Sequence, residues 1–126
     1  MAKLFEMDEK VTLKDQMENH VTGAVILINK FNVDSNEVEQ FLDAWKEDAT
    51  RFKDQSGFVS AQLHKGVGKS SVFINYAVWE SLEHYKEAVV NVIGHDFQSV
   101  LSKYPQSLVV SPHLFKKVAV PGICGD

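Results

Sequence analysis

The run Phe58-Val59-Ser60-Ala61-Gln62-Leu63-His64-Lys65-Gly66-Val67-Gly68-Lys69-Ser70-Ser71-Val72-Phe73-Ile74-Asn75-Tyr76-Ala77-Val78-Trp79 decides the fold. Two stretches rich in β-branched and aromatic residues, Phe58 to His64 and Ser70 to Trp79, flank a polar link with two glycines, Lys65 to Lys69. That arrangement predicts a β-hairpin. Strand alternation puts Phe73, Asn75 and Trp79 on one face and Tyr76 on the other. The same rule groups His64 with Phe58, Ser60 and Gln62. Gly66-Val67-Gly68-Lys69-Ser70 has the end of a phosphate-binding loop, but Leu63 stands where that loop needs a glycine, and a strand follows where it needs a helix.

Upstream of the hairpin, Val38, Phe41, Leu42, Trp45, Ala49 and Phe52 recur at helical spacing, with Glu39, Asp43, Lys46, Glu47 and Lys53 filling the opposite face. Asp34 as cap with Glu37 three residues later predicts the helix start. Gln55-Ser56-Gly57 predicts its end. Before it, residues 22–33 read as a strand with Val25, Leu27, Asn29 and Phe31 on one face and Ala24, Ile26, Ile28 and Lys30 on the other. Downstream, a second helix starts near Ser81 with Leu82, Tyr85, Val89 and Val92 inward, and Gly94 ends it. Asp96 to Leu101 predicts a short further helix, and Leu108 to Val120 holds a last strand with Pro112 confined to its start or an edge.

The order β-α-β-β-α-(α)-β predicts an α+β fold of the ferredoxin-like, split βαβ type: a four-stranded antiparallel sheet with helices on one face. Its strands are apolar on both sides, and a bare apolar sheet face of several hundred Å² is unusual in a monomer. The expectation is a homodimer with sheets face to face, and a cavity on the helical side. Residues 1–20 form an N-terminal extension with two roles open, covering a partner subunit or closing the pocket mouth. Residues 21–120 form the domain, and residues 121–126 a C-terminal tail.

Composition narrows the function. A formal charge of −4 and 13 scattered basic residues argue against a nucleic-acid partner. The one cysteine, Cys124, allows no internal disulfide. The first residues carry no apolar run suited to a signal peptide. The longest apolar run, Ala24 to Ile28, falls far short of the about 20 residues that span a bilayer. The reading is therefore a cytoplasmic protein with no membrane partner. His20, His64, His84, His95 and His113 show no metal-ligand spacing, so no metal site is expected.

Chemistry concentrates after Phe73. An amide inside a buried strand needs partners, which singles out Asn75 and, on the first strand, Asn29. Trp79 and Tyr85 add two further donors on inward positions. Two readings are open: core aromatics and satisfied amides, or an apolar pocket with convergent donors. His64, a residue type suited to act as a base near neutral pH, lines either the pocket or the hairpin end.

Val72-Phe73-Ile74-Asn75-Tyr76-Ala77-Val78-Trp79-Glu80-Ser81, with Tyr85 following, resembles the Asn-Tyr-x-x-Trp motif of the antibiotic biosynthesis monooxygenases, and Gly57 to His64 resembles their second strand. The resemblance covers roughly residues 22–118. It implies a dimeric α/β barrel with one pocket per subunit, which oxidises a phenol, anthrone or hydroquinone with O₂ and no cofactor. It also implies catalytic roles for Asn75, Trp79 and Tyr85, with Asn29, Phe73 and His64 as substrate-binding candidates. Ser99 stands where quinone-forming members carry an arginine. The haem-degrading branch of the superfamily shares an asparagine matched by Asn29, but Ala88 and about Leu101 occupy the places of its tryptophan and haem-ligating histidine. The rival from another class is a non-catalytic dimeric barrel that binds small molecules or serves in stress.

Overall fold

Phe58–Lys65 (β3) and Val72–Trp79 (β4) pair as an antiparallel hairpin in the computed structural model, which describes residues 1–125. β4 also pairs antiparallel with Val25–Asn32 (β2), which in turn pairs antiparallel with Val109–Phe115 (β5). The helices are Leu13–Met17 (α1), Val38–Lys53 (α2), Leu82–Val92 (α3) and Phe97–Leu101 (α4). The fold is α+β and ferredoxin-like, with helices over one face of the sheet.

The sheet has five strands and is mixed, where the sequence predicts four antiparallel ones. The added strand comes from the N-terminal extension: Lys3–Leu4 (β1) runs parallel to β5, giving the order β1-β5-β2-β4-β3. The reason lies in the outer edge of β5. There the Lys3 N–H bonds the Leu108 carbonyl at 3.0 Å and the Phe5 N–H bonds the Val110 carbonyl at 2.8 Å. Pro112, next on that edge, has no N–H to place. Beyond it, the side chain of Gln16 on α1 acts as a surrogate strand: its Oε1 accepts from the Leu114 N–H and its Nε2 donates to the Leu114 carbonyl, both at 2.9 Å. The edge that a bare β5 would leave unpaired is closed by residues 3–16.

Two further details differ from the sequence reading. Asp34 makes no side-chain cap; a 3₁₀ turn, Ser35–Glu37, leads into α2 instead. The last strand ends at Phe115, five residues before the predicted Val120. The exit at Gly57 is as expected. Its φ of +87° suits glycine, and a Cβ there would lie 2.2 Å from the His84 ring.

Packing between helices and sheet divides into two apolar clusters. Phe41 of α2 is fully buried and stacks against Phe31, Phe73 and Tyr104. Trp79 centres the second cluster, edge-on to Phe52, Phe58 and Tyr85. The opposite sheet face carries Ile74 and Tyr76, each 39% exposed, and Val59 at 54%. Among the described residues no helix is long and apolar enough to cross a membrane.

Candidate active site

Members of both clusters line one cavity of about 750 Å³ between the helices and the sheet. The walls are mostly apolar, with Leu27, Phe52 and Phe58 among them. The polar exceptions are few. Asn29 on β2 and Asn75 on β4 face each other across the strand pair, and both line the cavity. Trp79, two positions further along the same face of β4, lines it as well, as does Tyr85 from the first turns of α3. Ser81 starts that helix by accepting from the His84 N–H, which sets the phase that turns Tyr85 inward.

The hydrogen bonding here is incomplete in an informative way. Among the described residues, four buried side-chain polar atoms lack a partner: Asn29 Oδ1, Asn75 Oδ1, Trp79 Nε1 and His113 Nδ1. The first three belong to cavity-lining residues. Each unpaired buried group costs about 1–3 kcal/mol. Three gathered on one wall leave hydrogen-bonding capacity that a polar group entering the cavity would satisfy. Burial pushes the Tyr85 phenol above its ordinary value, so it stays protonated and can donate.

Two sequence candidates are not at the cavity. Phe73 packs on Phe41 within the first cluster and is not among the lining residues. His64 is exposed on the opposite sheet face, its Nδ1 3.3 Å from the Ile74 carbonyl. The cause is a β-bulge between Phe58 and Ser60: Phe58 pairs with Trp79 on the cavity face, but Ser60 pairs with Val78, so Ser60, Gln62 and His64 turn outward. Simple alternation cannot register that extra residue, and a one-residue slip exchanges faces.

The structure adds residues that sequence reasoning missed. Leu13, Lys14 and Met17 of α1 form part of the wall, so the extension helps to enclose the cavity of its own chain. Asp48 and Tyr104 also line it; the Tyr104 hydroxyl donates to Asp48 Oδ2 at 2.6 Å. The signal for Asp48 was present, since it falls between Trp45 and Phe52 on the apolar stripe of α2, where a carboxylate is out of place.

Fold and cavity together define a ferredoxin-like α+β protein with an apolar, amide-lined small-molecule pocket. The family model for antibiotic biosynthesis monooxygenases matches residues 24–91, more than half of the 126 residues, and the chain belongs to that family. Its fold is similar to that of SnoaB, a cofactor-independent oxygenase from Streptomyces nogalater, at 21% identity and a TM-score of 0.66, over 80% of this chain and 99% of that one. A protein from Shewanella loihica PV-4 assigned as a monooxygenase matches at 23% identity and TM-score 0.65, over 80% of this chain and 100% of that one. A conserved protein from Methanosarcina mazei Go1 matches at 11% and 0.63, over 76% and 94%. No curated protein matches the chain.

Proposed function

We propose that the protein is a monooxygenase that oxidises a small electron-rich aromatic, of phenol, anthrone or hydroquinone type, with O₂ and without a cofactor. The observation that carries this is the cluster of three unpartnered polar groups, Asn29 Oδ1, Asn75 Oδ1 and Trp79 Nε1, on one apolar cavity. Membership in the family, and the similarity to a cofactor-independent oxygenase, support it.

In this reading the substrate itself supplies the electrons for O₂ once it is deprotonated, and the protein stabilises the anion in a dry site. The Trp79 Nε1–H, the Asn29 and Asn75 Nδ2–H groups and the protonated Tyr85 hydroxyl are the donors to that anion, while the orphaned Asn29 and Asn75 Oδ1 atoms accept from hydroxyl groups of the neutral substrate before its proton leaves. Each is worth about 10²–10³ in rate when aimed at developing charge in a low-dielectric pocket. Aromatic walls from Phe52 and Phe58 hold the ring and exclude water.

The working unit is a homodimer closed through the outer sheet face, where Val59, Ile74 and Tyr76 are exposed. Apolar side chains on an open sheet face favour burial against a copy of the same surface. Residues 21–120 act as the catalytic domain, with residues 1–20 as its added wall and edge.

One observation favours a second reading, a binding protein without turnover: Ser99, exposed on α4, replaces the arginine of quinone-forming relatives. Incubating purified protein with phenols, anthrones and hydroquinones under labelled O₂, with anaerobic controls read by mass, separates the two. Incorporation of one labelled oxygen per product molecule, absent without protein or without O₂, supports the oxygenase. Tight binding of the panel with no incorporation leaves the binder.

A further inference from the structure

The proposed chemistry requires a group that takes the substrate's proton, and His64 is on the wrong side of the sheet. Asp48 is the one buried charged residue among those described, with 8% of its surface exposed. Its Oδ1 accepts from Lys103 Nζ at 2.5 Å and its Oδ2 from the Tyr104 hydroxyl at 2.6 Å. Each carboxylate oxygen has a further lone pair, and Asp48 lines the same cavity as Asn29, Asn75 and Trp79.

A buried ion pair is an expensive way to fasten a helix, because apolar side chains of similar volume do so as well or better. A carboxylate held at a cavity wall by a cation and a phenol has the form of a functional group kept ready. The charged and titratable groups around it are few. Lys103 and Tyr104 face it from the segment after α4, and Glu47 on its own helix shares Lys103 at 3.4 Å. Lys14, Tyr85 and His95 share the cavity.

Resting on the oxygenase reading above, we propose that Asp48 is the general base of the cavity, with Lys103 as its positioning cation and Tyr104 as the donor that orients its carboxylate. A carboxylate can deprotonate a much weaker acid when other groups stabilise the anion as it forms, which is the role given to Asn29, Asn75 and Trp79. The substrate's first proton moves to Asp48, and the remaining electron pair reduces O₂ as a carbon–oxygen bond forms, giving a peroxide anion. Asp48 returns its proton to make the hydroperoxide. It then takes the second proton, from the carbon bearing the peroxide, as the O–O bond breaks. The departing hydroxide recovers that proton as water. Substrate and O₂ become quinone and water, with Asp48 restored.

The test is the pH dependence of kcat/KM for the parent, Asp48→Asn and Lys103→Met. Asp48→Asn keeps shape and a partner for Tyr104, and is expected to lose about 10²-fold or more in turnover while still binding substrate anaerobically, read by the fluorescence of Trp45 and Trp79, which both line the cavity. Substrates acidic enough to arrive ionised should recover the part of that loss that belongs to the first proton transfer. Lys103→Met leaves the carboxylate but removes its cation, so the acidic limb of the profile should move to higher pH. Parent-like rate and profile in Asp48→Asn overturn the base assignment alone. If that variant fails to fold, an unmoved limb in Lys103→Met overturns it instead. No O₂-dependent turnover by the parent on any substrate overturns the oxygenase reading, and the base with it.

Discussion

Asn29 and Asn75 stand directly opposite each other on neighbouring antiparallel strands, and the side-chain oxygen of neither has a hydrogen-bond partner. Opposed residues on one sheet face have Cβ atoms roughly 5 Å apart, so the two amides border the same few ångströms of cavity. A structural pair at that separation would bond to each other. These two do not, and the strand pairing holds them beside Trp79 Nε1, also unpartnered. The sheet therefore carries destabilising groups at the place where a ligand would satisfy them.

That relationship predicts a trade of stability against activity. Asn75→Leu should hold the parent unfolding midpoint or raise it, by about 1 kcal/mol, because an orphaned acceptor is removed from an apolar wall. Oxidation should fall by about 10²–10³. Asn29→Leu should behave alike, and the double variant should lose less than the product of the two, since both amides serve one anion. Thermal unfolding and turnover on the same samples check it. A loss of several kcal/mol on Asn75→Leu would mean that the amide supports the fold rather than a ligand.

How much was legible in the sequence follows from the kind of signal each feature leaves. Periodicity located the hairpin, α2 and the inward positions of Asn29, Asn75, Trp79 and Tyr85, because alternation and helical spacing are local. His64 went to the wrong face because a bulge at Val59 shifts register by one without a glycine or proline to mark it. The parallel β1 was invisible for a different reason. Two residues, Lys3–Leu4, are too short to show a period, and their pairing depends on the edge of β5 about a hundred residues away. Asp48 was readable, as a carboxylate on an apolar stripe, but its partners Lys103 and Tyr104 come from a distant segment that only the folded chain brings near.

Burial also fixes an alkaline response. The Tyr85 phenol is pushed above its usual value of 10.0 by burial. The Tyr104 phenol is pushed up by burial first and by its hydrogen bond to Asp48 second. Both folded values lie above the unfolded one, so the folded state retains protons that the unfolded state releases. Stability from these two groups is complete below about pH 10 and falls as pH rises beyond it, by up to about 1.4 kcal/mol per pH unit for each. Urea midpoints across that range should show the decline, and Tyr85→Phe or Tyr104→Phe should each remove about half of it. A flat profile in the parent would mean that neither phenol is sequestered from water.

The N-terminal wall gives the last expectation. α1 has five residues, too few to persist as a helix by itself, so its place depends on Gln16. That side chain makes two bonds to the Leu114 backbone and a third contact, Nε2 to His113 Nε2 at 3.0 Å. Because the Gln16 amide nitrogen can only donate, the facing His113 nitrogen accepts, and the ring's proton sits on Nδ1. Gln16→Ala strips the edge of β5 of its partner and should cost about 1–3 kcal/mol. With α1 loosened, Leu13 and Met17 leave the cavity wall, and lost apolar contact of about 1–2 kcal/mol should raise KM roughly tenfold. The rate at saturation should stay near the parent value, since no donor to the anion has moved. Residues 1–20 should become cleavable by protease while the remainder resists. Unchanged KM together with unchanged protease resistance would show that the extension is held by other contacts and that Gln16 is not its anchor.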